Sequence, residues 1–258
     1  MKPLSVVIIA RNEEKNIRRC LQSVAWASEI VLVDSGSDDG TVEIAREFNV
    51  NVIDRPFTGY GPAKKEAVNN ATSDWILSID ADEEVSPRLK DEITNILADE
   101  NVQCAGYFVR RKTLFLGRWI KHCGWYPDYI LRLFRKSHGD FNEAVVHEKV
   151  VLSGATGHLK GELLHYSYPS LEDYLRKSNW YTTLGANEAF KKGIRAGWFD
   201  IVIKPILSFI SHYIVRQGFR DGLEGFMVSA LSAVAVMNKY TKLRELHRNG
   251  KGTDEHYA

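Results

Sequence analysis

Four short, largely apolar runs alternate with amphipathic segments along the first 80 residues of the chain. The runs are Leu4 to Ile9, Ile30 to Val33, Val50 to Ile53 and Trp75 to Ile79. Runs of this kind are typical of strands that are buried on both faces of a sheet. The segments between them carry apolar residues at helical spacing, and this alternation predicts a parallel α/β sheet flanked by helices.

Several residues mark the expected helix starts. Asn12 has an N-cap side chain and precedes apolar residues at helical spacing, and Pro62 stands near the start of a later helical segment. After the fourth run, a further helix is predicted to follow Pro87. Glu83 and Glu84 are expected to begin that helix, because acidic residues suit the positive end of a helix dipole.

The pattern changes after residue 98. Long β-like stretches rich in aromatic residues and arginine follow at 105–120 and 129–136, and a helical segment covers 171–193. We therefore predict one α/β domain over residues 1–190, divided near residue 98, and a helical region over residues 191–258.

Two apolar stretches distinguish the C-terminal region. Residues 198–215 are apolar on nearly every side, and residues 225–238 carry no charge. Both are shorter than the roughly 20 residues that a membrane-spanning helix needs. They are either two packing helices or a hairpin that enters the membrane interface, where basic flanks would meet anionic lipid. The flanking basic residues are Lys204, Arg216, Arg220, Lys239, Lys242 and Arg244.

Composition and charge narrow the class of protein. The net charge of +1 suggests no nucleic-acid partner, although residues 191–258 hold 11 Lys and Arg against 6 Asp and Glu. Three scattered cysteines favour neither a disulfide framework nor a cysteine metal site. The first apolar run meets a charged residue too soon for a signal peptide. A cytoplasmic location is therefore expected.

Polar segments follow three of the predicted strands, at residues 10–14, 34–41 and 80–84. In a parallel α/β sheet, ligands bind beyond the carboxyl ends of the strands, so the three segments predict one site. Asp34 stands where a Rossmann protein keeps the acid for its ribose, which favours a nucleotide. The first turn, however, has no glycine fingerprint to hold a pyrophosphate.

Asp80 and Asp82 offer another way to neutralise a diphosphate. They lie two residues apart at a strand end, so their side chains can point to the same side. Two carboxylates together with phosphate oxygens suit a hard divalent cation, Mg²⁺ or Mn²⁺. The alternative is that the two residues form only a solvated turn or cap.

These motifs resemble those of family-2 glycosyltransferases with the GT-A fold. The matching segments are SVVIIARNEEKNIRRCLQSV, EIVLVDSGSDDGTVEIA and ILSIDADEEVSPRL. The resemblance is strong over residues 4–98 and weaker as far as LLHYSY at 163–168. It implies a Rossmann-like, mostly parallel central sheet flanked by helices. It also implies a nucleotide-sugar half over about residues 1–98 and an acceptor half over about 99–190.

The closest likeness is to small bacterial enzymes that add glucose to the inner-core heptose of lipopolysaccharide. It implies a UDP-sugar donor, with glucose the expected sugar, and a glycolipid or oligosaccharide acceptor. It further implies inversion at the sugar, a divalent cation, and contact with the cytoplasmic face of the inner membrane. The sequence alone leaves the oligomeric state open.

The resemblance assigns roles to matching residues. Asp34 would contact the uracil or ribose, and Asp39 fills the last acidic position of the family's VDDGSTDGT pattern, in which Ser35 replaces the second Asp. Lys64 would approach the donor. The first-turn residues that would border the nucleotide are Ala10, Arg11, Asn12 and Glu13.

The resemblance also implies a metal set and a base. Asp80 and Asp82 would bind the metal and diphosphate, and His165 would be a later metal ligand unless it is an ordinary structural histidine. Inversion requires a carboxylate that takes the proton of the acceptor hydroxyl. Glu148, next to His147, matches the family's base position.

Two other carboxylates are alternative bases, and two other functional classes stay open. Asp128 and Glu143 are the alternatives to Glu148. A sugar-phosphate nucleotidyltransferase shares the α/β layout, although it normally carries a glycine-rich first loop. A non-catalytic nucleotide-sugar-binding module would keep the fold without turnover.

Overall fold

The computed structural model describes residues 1–142 and 148–249. The chain divides into two compact units. The first comprises Met1–Lys112 and Pro127–Tyr166, and the second comprises Thr113–Tyr126 and the chain from Ser167 onward. The units interleave along the sequence, whereas the predicted domains are continuous segments.

Strands dominate the first unit, and helices dominate the second. The strands in chain order are β1 (Leu4–Ala10), β2 (Glu29–Asp34), β3 (Asn51–Asp54), β4 (Trp75–Asp80), β5 (Glu83–Val85), β6 (Gly106–Phe115), β7 (Arg118–Trp119), β8 (Asp128–Arg135), β9 (Gly139–Phe141), β10 (Val150–Leu152) and β11 (Thr156–Tyr168). The helices are α1 (Glu14–Val24), α2 (Thr41–Arg46), α3 (Tyr60–Asn70), α4 (Pro87–Ala98), α5 (Leu171–Lys191), α6 (Lys204–Ile210) and α7 (Gly222–Asn249).

The main sheet is mixed. Its strand order is β3-β2-β1-β4-β8-β6-β11-β5, with β7 paired to β6, and β9 and β10 form a separate two-stranded sheet. The first four strands are parallel, as the alternation of strands and helices predicts. Strand β8 is antiparallel to β4 and β6, and β5 is antiparallel to β11. The expected mostly parallel sheet is therefore parallel only in its first half.

Both faces of the parallel strands are covered, which explains their continuous apolar runs. Val6 and Ile8 of β1 pack in one cluster with apolar residues of α1 and α4, while Val7 packs in a second cluster with α3. Successive side chains of a strand point to opposite faces, so one apolar run supplies both layers. The carboxyl ends of β1, β2 and β4 are thereby held side by side.

Two predicted helix starts are wrong. Helix α1 begins at Glu14, and Asn12 adopts a left-handed backbone conformation with φ 55°. Its side-chain oxygen accepts a hydrogen bond from the amide of Asp38 at 3.0 Å, so it ties two loops together and does not cap the helix. Glu83 and Glu84 lie on β5 because that edge strand pairs with β11. Ser86 caps α4 by accepting from the amide of Leu89.

We expect Gly161→Ala to destabilise the protein by about 1–3 kcal/mol, because overpacking forces the backbone to move. A Cβ at Gly161 would lie 2.4 Å from Cα and 2.5 Å from the amide nitrogen of Leu89. Urea unfolding measures the loss. Gly197→Ala is the control, because there the nearest atom to a new Cβ is 3.7 Å away. Equal stability of both variants would contradict the expectation.

The second unit contains a helical hairpin, which consists of residues 198–215 and helix α7. π-Helical turns at Phe199–Ile203 and Ser211–Val215 flank α6, and the segment packs against α7. No helix within residues 1–142 and 148–249 is both long and apolar enough to cross a membrane. The exposed large apolar residues of the segment are Trp198, Phe199, Val202, Ile206, Leu207, Ile210, Ile214 and Val215.

Candidate active site

A buried charge network lies at the carboxyl end of β4. One carboxylate oxygen of Asp80 is 2.9 Å from the ammonium of Lys64 on α3, and the other is 2.6 Å from the guanidinium of Arg132 on β8. Lys64 and Arg132 are each only 4% exposed. The clustered carboxylates after β4 are therefore compensated by two buried cations from neighbouring elements.

Lys64 also connects this strand end to the predicted base. Its ammonium donates to a carboxylate oxygen of Glu148 at 2.7 Å. Asp80 and Glu148 lie far apart in the sequence, yet they share one lysine. The structure thus brings together three residues that the sequence predicted separately as metal ligand, donor contact and base.

Glu83 is the most deeply buried member of the network. Its side chain is fully buried, accepts from Arg132 at 2.8 Å, and accepts from the backbone amide of Asp80 at 2.9 Å. Burial raises the pKa of Glu83 above its ordinary value, although the charge of Arg132 opposes the shift. Glu83 therefore holds Arg132 and the backbone of Asp80 in place from beneath.

The pKa of Asp80 moves the other way. Burial alone would raise it, but the charges of Arg132 and Lys64 outweigh burial and hold the pKa well below its usual range. Burial would lower the pKa of Arg132, but the carboxylates of Asp80 and Glu83 raise it. Asp80 is consequently a permanent anion at neutral pH.

Asp82 and His165 lie together beside this network. His165 Nε2 is 3.3 Å from a carboxylate oxygen of Asp82, and the amide of Tyr166 donates to the backbone oxygen of Asp82 at 2.9 Å. The register of β11 against β5 sets this pairing, because His165 stands opposite Glu83. The two metal candidates from distant parts of the chain are thus neighbours.

The residues present fit a cation that is completed by substrate. Across the described ranges, no group of three or more His, Cys, Asp and Glu side chains is arranged to hold a metal ion. Mg²⁺, however, is commonly bound by one or two carboxylates together with substrate phosphates and water. Asp82 and His165 offer an oxygen and a nitrogen beside Asp80, whose oxygens meet Lys64 and Arg132.

The acids after β2 shape their own loop. Asp34 is buried and accepts from the amides of Gly36 and Ser37 at 3.0 and 2.9 Å. Asp39 accepts from the amides of Glu14 and Thr41 at 3.1 and 3.0 Å. Burial would raise the pKa of Asp39, but hydrogen bonds from the hydroxyl of Thr41 and from these amides lower it. Both carboxylates therefore order the loop that follows β2.

The first turn is bound to that loop. Ala10 is buried opposite Asp34 in the register of β1 and β2, and Arg11 is exposed. The amide of Asn12 donates to the hydroxyl of Ser37 at 2.9 Å, and the amide of Glu13 donates to the hydroxyl of Thr41 at 2.8 Å. Asn12 and Glu13 thus fasten the first turn to the loop after β2.

A cavity opens at the ends of β2 and β3. It has a volume of about 500 Å³, and its lining includes Asp34, Gly36, Ser37, Arg46 and Asp54. Asp34, the candidate ribose contact, is therefore part of a cavity wall, and the other lining residues come from the loop after β2, from α2 and from residues 50–54.

The alternative bases occupy different positions. Asp128 pairs with Arg111 at 2.8 Å, and Arg111 also lies 3.9 Å from Glu83. Glu143 and His147 lie outside the described residues. Of the two described candidates, Glu148 is the one that contacts Lys64.

Arg132 pairs with Asp80 and Glu83. The structural role of Glu83 was missed altogether. Its signal in the sequence is weak, because only the pairing of β5 with β11 turns this side chain inward.

Comparison with known proteins identifies the family. The profile of Glycosyl transferase family 2 matches residues 5–159, more than half of the chain. An uncharacterized glycosyltransferase of Rickettsia typhi, RT0209, is 33% identical and covers 95% of this chain and 88% of its own length. The lipopolysaccharide core biosynthesis glycosyltransferase LpsC of Rhizobium meliloti is 30% identical over 95% of this chain and 93% of its own length.

Among solved structures, TarS 1-349 of S. aureus covers 96% of this chain and 92% of its own length, with 16% identity and a TM-score of 0.47. The family profile and two relatives of at least 30% identity over nearly the whole chain agree with one another. The chain therefore belongs to glycosyl transferase family 2.

Proposed function

We propose that this glycosyltransferase moves a sugar, with glucose the expected one, from a UDP-sugar to a lipopolysaccharide-core or other lipid-linked saccharide. The observation that carries the proposal is the ammonium of Lys64, which joins Asp80 to Glu148. It unites the strand end expected to meet a diphosphate with a carboxylate able to act as a base. The relationship to LpsC supports the class of acceptor.

Glu148 is the base of the proposed reaction. Its carboxylate takes the proton of the acceptor hydroxyl, and the hydroxyl oxygen attacks the anomeric carbon as UDP departs. Attack opposite the leaving group inverts the configuration. Lys64 holds Glu148 in place and presents an ammonium to the diphosphate, because phosphate oxygens are good partners for a lysine.

Asp80, Asp82 and His165 would hold the divalent cation, Mg²⁺ or Mn²⁺, which would stabilise the charge of the departing diphosphate. Arg132 keeps the Asp80 side chain oriented. The first turn and the loop after β2 border the nucleotide, with Asp34 at the uracil or ribose and Asp39 fixing the loop that carries it.

The proposed acceptor is lipid-linked, so we place the enzyme at the cytoplasmic face of the inner membrane. The exposed apolar residues of the C-terminal hairpin support such a contact. Family membership removes the sugar-phosphate nucleotidyltransferase that the α/β layout alone left open.

Calorimetric titration of UDP with and without Mn²⁺ tests the donor site. We expect wild type to bind UDP more tightly with the metal. Asp82→Asn should lose about tenfold or more of that affinity, because losses of this size follow even from changes to residues that only support the metal ligands. Asp91→Asn on the exposed side of α4 is the matched control and should behave as wild type. If UDP affinity changes neither with the metal nor with the Asp82 substitution, the proposed donor site is wrong.

A further inference from the structure

The segment around α6 presents a continuous apolar stripe. Phe199, Val202, Ile206, Ile210 and Ile214 recur at intervals of three or four residues and are each 40–55% exposed. A repeat of four would drift around an ideal helix of 3.6 residues per turn. The wider π-helical turns at both ends counter this drift, so the stripe stays on one side.

Helix α7 carries a second stripe. Leu223, Phe226, Val234 and Met237 are exposed and fall at helical spacing. Phe219, in the turn between the helices, is 52% exposed. Helix α6 packs against α7, so the two stripes belong to one hairpin. Its exposed apolar side chains are clustered, whereas single apolar residues scattered over a surface are ordinary.

Basic residues predominate around these stripes, although Asp200 follows Phe199 and Glu224 follows Leu223. Neither residues 201–220 nor residues 225–244 contain an Asp or Glu. The basic residues of the two stretches are Lys204, Arg216, Arg220, Lys239, Lys242 and Arg244. An apolar face with basic flanks complements an anionic bilayer surface. A second copy of the hairpin would instead bring like charges together, which disfavours self-association.

A cleft of about 450 Å³ lies between the two helices. The ammonium of Lys204 is 2.9 Å from the hydroxyl of Tyr240 and 2.7 Å from Asp200. Among the described residues, no carboxylate pairs with Lys239, whose ammonium lies 5.8 Å from the centre of the Tyr240 ring. The polar groups that line the cleft belong to Lys204, Ser208, Ser211, His212, Lys239 and Tyr240.

We infer that the hairpin docks on an anionic bilayer through its two stripes, and that the cleft binds the phosphate of a lipid headgroup. The ammonium of Lys239 provides the charge that a phosphate needs, and the hydroxyls together with Lys204, which also pairs with Asp200, provide hydrogen-bond donors. The inference deepens the proposed membrane contact. It does not depend on which sugar or nucleotide the enzyme uses.

Vesicle co-sedimentation of the full chain, without donor or acceptor, tests the inference. The vesicles contain phosphatidylcholine alone, phosphatidylcholine with phosphatidylglycerol, or phosphatidylcholine with an equal charge of oleate. Wild type should bind phosphatidylglycerol vesicles best. Ile206→Ser with Ile210→Ser should abolish binding to all three, while circular dichroism stays unchanged because both side chains are exposed.

Lys239→Gln tests the cleft separately. It should weaken binding to phosphatidylglycerol vesicles about fivefold, the effect of roughly 1 kcal/mol per basic residue near a membrane, and remove the preference over oleate. Lys191→Gln makes the same charge change on exposed α5 and should keep that preference.

Three outcomes would overturn the inference. If wild type binds none of the vesicles, the hairpin is not a membrane-docking surface. If wild type is a dimer that the double serine substitution converts to a monomer, the apolar face is a contact between two copies of the chain. Equal behaviour of the Lys239 and Lys191 variants removes the phosphate cleft. If UDP binding fails while vesicle binding holds, the donor proposal falls and this one stands.

Discussion

Glu148→Gln should abolish sugar transfer while UDP binding stays close to that of wild type. The amide keeps the shape of the carboxylate and one oxygen for the ammonium of Lys64, which lies 2.7 Å from Glu148. It cannot take the proton of the acceptor hydroxyl. Loss of a positioned base lowers turnover by about 10²–10⁴-fold. Steady-state release of UDP in the presence of acceptor measures the effect.

Asp128→Asn is the matched control for this substitution. It makes the same chemical change at the alternative base, whose carboxylate pairs with Arg111 at 2.8 Å. We expect a much smaller effect on turnover, because that pairing is away from Lys64. A large loss in Asp128→Asn with normal turnover in Glu148→Gln would exchange the two roles. Normal turnover in both variants would remove both candidates.

Local pattern was sufficient to predict the strands of residues 1–80. The strands that become β1, β2, β3 and β4 each coincide with a largely apolar run, because burial on both faces leaves a strong signal in the sequence. The polar ends of β1, β2 and β4 then follow from the parallel order alone. This part of the fold needed only short-range information.

The contacts inside the site needed long-range information. Lys64 meets Glu148 and Arg132 meets Asp80 across the fold, and no spacing along the chain encodes either distance. The wrong helix start at Glu83 has the same origin. An acidic pair before a proline favours a helix locally, but pairing of β5 with β11 overrides that preference.

Arg132→Met should be the most destabilising substitution in the site. The side chain is 4% exposed, and its guanidinium lies 2.6 Å from Asp80 and 2.8 Å from Glu83. Removing it leaves the buried carboxylate of Glu83 and the partly buried carboxylate of Asp80 with less compensation. Breaking a buried ion pair costs about 3–5 kcal/mol. Urea unfolding measures the loss. Arg132→Lys keeps the charge and should lose less stability, because it lacks only the planar guanidinium with its several hydrogen-bond donors.

The pH dependence separates lost charge from lost packing. Burial already raises the pKa of Glu83 in the folded protein, and removal of Arg132 should raise it further. A carboxyl whose folded pKa lies above its unfolded value binds its proton more tightly when folded, so stability falls as pH rises through the folded pKa. The deficit of Arg132→Met relative to wild type should therefore be smaller at pH near the unfolded value of about 4.3 than at neutral pH. A deficit that is equal at both would mean that Arg132 acts through packing, and that the carboxylates after β4 do not depend on its charge.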